Sequence, residues 1–176
     1  MKNTAVWIAA AIYTMGLGLA QEFSGPPQAK KGHDLFFASA GNGAAACGSC
    51  HSIKKEGTAV GPDLTRLARL NPRAIVMAIN ATRTQYVQDV KAKAGEFPGM
   101  KVTENAEGYE YYDLSKTPPA LVKLAKADVT STNDNASWRH PASAMKLTPE
   151  QLADIITYIK YAAYGDKTGV KPEDVE

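Results

Sequence analysis

Two thiols and an imidazole fall within five consecutive positions, Cys47-Gly48-Ser49-Cys50-His51, and these two cysteines are the only ones in the chain. The spacing C-x-x-C-H is the pattern by which a porphyrin is attached covalently to a polypeptide. Two thiols separated by two residues reach the two vinyl groups on one edge of the ring, and the next histidine is carried under the iron as proximal ligand. Gly48 and Ser49 are small, so the bridging turn can lie close to the ring. Three other chemistries use the same residue types. A redox dithiol wants a thioredoxin-like βαβ context, which the surrounding sequence does not offer, and a zinc site needs two further ligands at paired spacing. A disulfide between Cys47 and Cys50 is the third. The trailing histidine favours one covalent haem c, and so does the export signal described below.

An iron held by His51 has a second axial position, for which thioether and imidazole are the usual protein ligands. The candidates are Met77, Met100, Met145, His33 and His140. Met77 sits on a predicted helix and reads most simply as core packing. Met100 stands beside Phe97-Pro98-Gly99, from where a loop could swing it over the iron. His140, in Trp138-Arg139-His140-Pro141, offers bis-histidine ligation, or is a surface imidazole. His33 lies next to Gly32 on the first predicted helix and reads as solvated or packed. Trp138 and Arg139 carry an indole N–H and a guanidinium suited to haem propionates; the plainer reading is an anchoring tryptophan with a surface arginine.

The elements that must position these groups can be read in part. Lys2, the apolar stretch Ala5 to Leu19 and the small residues Gly18-Leu19-Ala20 form an export signal over 1–20, with cleavage expected after Ala20. The stretch is shorter than the ~20 residues that span a bilayer, and no other segment is long and apolar enough, so no membrane span is expected after cleavage. The mature chain reads as a soluble exported protein, periplasmic in a Gram-negative cell, in one domain over 21–165. Its net charge of about +1 without Lys2 points to neither nucleic acid nor an anionic membrane. Lys54 and Lys55 follow the thiol motif closely enough to steer an acidic redox partner; the plainer reading is a solvated surface.

Three helices are predicted. The first covers Lys30 to Ser39, with Leu35, Phe36 and Phe37, and is ended by Gly41-Asn42-Gly43. The second is announced by Asn71 as cap and Pro72 as first helical residue, with Ile75, Val76 and Ile79 on its apolar side. The third has a capping box in Thr148 and Gln151, Pro149 at its first position, and a hydrophobic staple between Leu147 and Leu152. Its apolar residues Leu152, Ile155, Ile156 and Ile159 recur at helical spacing, and Gly165 supplies the stop. Between the second and third helices the periodicity fails. Residues 95–135 read as an ordered insertion in which Val102 and Tyr109 to Tyr112 flank a polar turn as a small hairpin, while Leu121 to Val129 fits strand or helix equally. The tail 166–176 is polar and reads as disordered.

This arrangement resembles a class I cytochrome c. The features that carry the resemblance are Gly32 and Phe36 on the first helix, C-x-x-C-H, Gly61-Pro62-Asp63-Leu64, a middle helix, a methionine and a terminal helix ending in an aliphatic-aromatic run. It covers residues 28–94 and 136–164, and the insertion is similar to one in a subgroup of haem-binding domains with short strands before the methionine loop. The resemblance implies a mainly α fold around one haem, with a small β-containing insertion. It implies that Gly32 and Phe36 pack against Ile155 and Tyr158, and that the carbonyl of Pro62 accepts the second imidazole proton of His51. Family order makes Met145 the sixth ligand, with two departures: Lys146 stands where the family has proline, and Thr148 is only three positions on.

The function this implies is mono-haem electron transfer, without enzymatic turnover, between a dehydrogenase or quinol-oxidising complex and an oxidase or another cytochrome. With the sixth site open, the same chain would be a gas sensor or a small peroxidase, His140 serving as distal acid-base. A third reading makes it a dedicated subunit of a larger periplasmic oxidoreductase, docked through the insertion.

Overall fold

A computed structural model of the chain describes residues 23–38, 44, 46–81, 86–140 and 146–176. The expected export signal over 1–20 and the expected ligand Met145 lie outside these described residues.

The three helices form close to where the sequence places them: α1, Pro27–Phe37; α2, Pro72–Ala81; and α3, Pro149–Tyr164. Asn71 caps α2 by accepting the Ala74 amide at 2.8 Å. The reciprocal Thr148–Gln151 box opens α3, and Gly165 closes it at φ 71°, a left-handed conformation that glycine adopts without a Cβ clash. Leu147, at the start of α3, packs with the Phe36 cluster, and Leu152 packs with Ile75 and Ile156.

α1 and α3 cross at Gly32. A Cβ there would run into the carbonyl of Asp154 and come within 2.8 Å of the Tyr158 Cβ, so the backbones approach only because the side chain is absent. Phe36 then meets the Tyr158 ring at 5.3 Å, tilted by 56°, and shares a buried cluster with Ile53, Ile155 and Ile159. This is the pairing the resemblance implies.

The fold is not mainly α. About 28% of it is strand against 35% helix. A two-stranded hairpin, β1 (Ser52–Ile53) with β2 (Glu56–Gly57), follows the thiol motif directly. The remaining strands are β3 (Val87–Ala92), β4 (Gly95–Glu104), β5 (Gly108–Asp113), β6 (Ala120–Ala125) and β7 (Val129–Asp134). They make an antiparallel sheet in the order β6-β5-β4-β3-β7. The strands therefore begin at Val87, ahead of the expected insertion 95–135, and they form a complete small sheet rather than one hairpin on a helical domain.

That sheet must curl. β6 and β7 lie on opposite edges, yet only the 3-10 turn Lys126–Asp128 joins them. Four residue steps reach at most about 14 Å, whereas five strands laid flat separate the edges by roughly 19 Å. Val87, fully buried, alternates to the other face of the sheet, while Val90 and Tyr111, also fully buried, share the face on which Gly99 lies. Gly99 lets them close: a Cβ there would meet Val90 Cγ2 at 2.8 Å and Tyr111 Cδ1 at 2.9 Å. A strand layer with its own core, absent from the helical pattern, is the physical reason for the corrected fold class.

The tail expected to be disordered is packed instead. Val170 and Val175 are buried beside Ile75 and Ile156, the Val170 amide donates to Thr157 Oγ1 at 3.0 Å, and Gln28 Nε2 donates to the Val170 carbonyl at 2.7 Å.

Candidate functional site

The thiol motif is a 3-10 turn, Cys47–Ser49, in which the amides of Cys50 and His51 both donate to the Cys47 carbonyl, at 3.1 and 2.9 Å. The Ser49 hydroxyl donates to the Ala46 carbonyl at 2.7 Å. Gly48 is small for a reason the sequence did not show: a Cβ there would lie 2.7 Å from the Phe37 ring of α1. Both cysteines are free thiols. Burial pushes the Cys47 thiol up to about 11 and also raises Cys50, where the Ser49 hydroxyl partly offsets it.

His51 is held from two sides. Its Nδ1–H donates to the Pro62 carbonyl at 2.9 Å, the contact the resemblance implies. A neutral imidazole carrying its proton on Nδ1 leaves the Nε2 lone pair available to a metal. Burial lowers the His51 pKa and the Pro62 carbonyl works against that shift. Gly61 fixes the ring's position: a Cβ there would fall 2.5 Å from Cε1 and 2.8 Å from Nδ1.

The loop carrying Gly61 and Pro62 is knitted to the motif by backbone bonds and by one carboxylate. The amides of Val60 and Gly61 donate to the Cys50 carbonyl at 3.1 and 2.6 Å, and Thr58 donates to Gly48 at 3.0 Å. Asp63 accepts from the Ser52 hydroxyl (2.9 Å), the Lys55 amide (3.2 Å) and the Thr65 amide (2.8 Å). Burial tends to raise its pKa, but the bonds from Thr65, Lys55 and Ser52 outweigh that and hold it down to about 2. Lys54 and Lys55, at φ 48° and 71°, form the tip of the β1–β2 hairpin that these bonds support. The sequence flagged Asp63 only as part of a four-residue string; the structure makes it the anchor of the loop.

The remaining candidates part company. Met77 is 64% exposed on α2 rather than packed in the core. Met100 is fixed in β4, paired with Val87 and Tyr112, and is not on a swinging loop. His33 stacks on Phe23 at 4.7 Å and contacts Asp34 at 3.1 Å, in an aromatic cluster with Phe37 and Tyr158. Arg139 is exposed and turns its Nη1 onto the carbonyls of Ala136 (3.2 Å) and Trp138 (2.9 Å), while Trp138 is half-buried beside it.

His140 is the one brought to the motif. Its ring lies 5.9 Å from that of His51, centroid to centroid, with the planes 17° apart. Its Nδ1 is buried with no hydrogen-bond partner; among the described residues the only other such side-chain atom is Tyr158 Oη. Burial, and then the neighbouring His51, lower its pKa, so it is held as neutral imidazole.

These residues suit a covalent haem. Free paired thiols, an imidazole with one nitrogen committed to a carbonyl, a glycine beside that ring and an orphaned second imidazole are the donor set such a group uses. A bare zinc ion is poorly served, since among the described residues no three His, Cys, Asp or Glu side chains gather as ligands. No protein-family model matches the chain, and no curated protein matches it.

Proposed function

We propose that the protein is a mono-haem c-type cytochrome that carries single electrons between larger redox proteins. The observation that carries this reading is the hydrogen bond from His51 Nδ1 to Pro62, made directly after a C-x-x-C turn with both thiols free. When bound, the haem supplies reversible one-electron chemistry at its iron.

The chain's own residues provide the tether, the orientation and the surroundings. Cys47 and Cys50 hold the group by thioether bonds. His51 offers Nε2, and its bond to Pro62 fixes the ring's rotation and makes it a more basic ligand. Gly61 keeps the ring's flank clear, and Asp63 holds the loop that brings Gly61 and Pro62 up to it. His140 and Met145, both in the segment between β7 and α3, are the side chains that would complete the ligand set of the haem. Held by side chains alone, the group would leave no place for substrate and would supply outer-sphere electron transfer. Lys54 and Lys55 project from the hairpin tip into solvent, a cationic point for a weakly bound acidic partner. The expected export signal over 1–20 supports a function outside the cytoplasm. Among the described residues no helix is long and apolar enough to cross a membrane.

Reductive titration of the exported holoprotein tests the reading. It predicts uptake of one electron per chain, full reversal by an oxidant, and no catalytic consumption of peroxide. Steady peroxide turnover, or no reducible chromophore, would contradict it.

A further inference from the structure

We propose that His140 is the second axial ligand, so that the haem is bis-histidine coordinated and the curled sheet is the device that delivers the ligand. The inference rests on the haem reading above and specifies its distal side.

An imidazole nitrogen sits about 2 Å from a first-row metal, and its own ring centroid lies about 1 Å beyond, so two imidazoles sharing one metal have centroids roughly 6 Å apart. The His51 and His140 centroids are 5.9 Å apart in rings only 17° from parallel. The buried Nδ1 of His140 has no hydrogen-bond partner, which leaves a polar group desolvated and unsatisfied. Sharing a metal gives this imidazole a role that the protein's own groups do not.

The segment carrying His140 is fixed before it reaches the motif. The Asn135 amide donates to the Val87 carbonyl at 2.8 Å, and its side-chain Nδ2 donates to Asp89 Oδ1 at 2.7 Å, both on β3. Asn135 Oδ1 in turn accepts from the Ser137 amide (3.1 Å) and hydroxyl (2.8 Å). The Trp138 amide donates to the Asn135 carbonyl at 3.3 Å, and Arg139 caps the carbonyls of Ala136 and Trp138. This chain of bonds runs from β3 to the residue before His140. It gives the sheet a use: β7 returns beside β3, and the turn at its end points the chain back to the thiol motif. A second histidine instead of a thioether also lowers the reduction potential, because methionine ligation is the one that raises it.

The test is the ferric near-infrared and electron paramagnetic resonance spectra of the holoprotein, with His140→Ala, His140→Met and Met145→Ala. The expected wild type is low-spin with no sulfur-to-iron charge-transfer band. Met145→Ala should leave that spectrum unchanged. His140→Ala should turn high-spin and bind carbon monoxide when reduced, and His140→Met should gain the sulfur band and a higher midpoint potential. His140→Met keeps the site filled should the alanine variant fold poorly. A wild-type sulfur band that Met145→Ala removes and His140→Ala spares overturns the proposal, as does a high-spin wild type that His140→Ala does not alter. A wild type without covalent haem defeats the cytochrome reading itself, a result distinct from either of these.

Discussion

Asp63 sets the acid sensitivity of the site. Its carboxylate is held at about 2 by three donors against an ordinary value of 3.8, so in the folded state it stays ionised to lower pH than in the unfolded chain. A depressed folded pKa contributes stability above about pH 4 and loses it as pH falls toward 2. Asp63 is exposed, and solvent screening cuts the contribution to about 1 kcal/mol. Asp63→Asn should therefore lower stability at neutral pH by about that amount and flatten the decline between pH 4 and 2. Denaturant unfolding at several pH values measures this, and equal slopes for the two proteins would count against it. At this scale the sequence was most legible where the chemistry is local. Cys47, Cys50 and His51 declare themselves by spacing, and the Pro62 contact followed from the resemblance. Asp63 did not, because its partners Ser52, Lys55 and Thr65 flank it only once the hairpin has formed. His140 was visible as a candidate, but its approach to His51 depends on the sheet that brings it there and carries no local signal.

Helices and strands were unequally readable. All three helices carry local punctuation, a proline in the first turn with Asn71 or Thr148 as cap for two of them, and such signals do not depend on tertiary partners. β3 was missed because its buried residues, Val87 and Val90, are three apart, a spacing that reads as helical. β4 was interrupted on paper by Phe97-Pro98-Gly99. In the fold Pro98 sits within the strand opposite Asp89, its carbonyl accepting from Leu114 at 2.9 Å, and Gly99 makes room for Val90 and Tyr111. The β4–β5 hairpin was legible, since the aromatic run Tyr109 to Tyr112 pairs across the polar turn as expected. Gly32 offers the sharpest element-scale prediction. Gly32→Val must displace the Asp154 carbonyl and part α1 from α3, which should cost about 3 kcal/mol or more, at the upper end of overpacking penalties. Thermal unfolding of the holoprotein would show it, and a melting temperature within a degree of wild type would refute the close crossing.

Across the whole molecule the helical half and the sheet divide the labour at the motif. α1, α3 and the loop to Asp63 hold the thiol turn and His51, through Gly32, Gly48 against Phe37, and Pro62. The sheet holds the segment that returns to His51, through Asn135 on Asp89. The packed tail closes the opposite flank of α3, where Val170 and Val175 complete the cluster of Ile75 and Ile156. A polar tail with two isolated valines carries no periodic signal, so its docking could not be read from sequence. The curl of the sheet was equally hidden, because it follows from the short β6–β7 connection between edges that only the strand order identifies. Everything in this arrangement converges on two sulfurs and one imidazole. The most direct measurement is the intact mass of the exported chain from a host competent in haem attachment. One haem mass added to the chain cleaved after Ala20, retained under denaturation and lost in the Cys47→Ala/Cys50→Ala variant, is the predicted result. A mass equal to the bare polypeptide, or lighter by two hydrogens through a Cys47–Cys50 disulfide, would contradict the account.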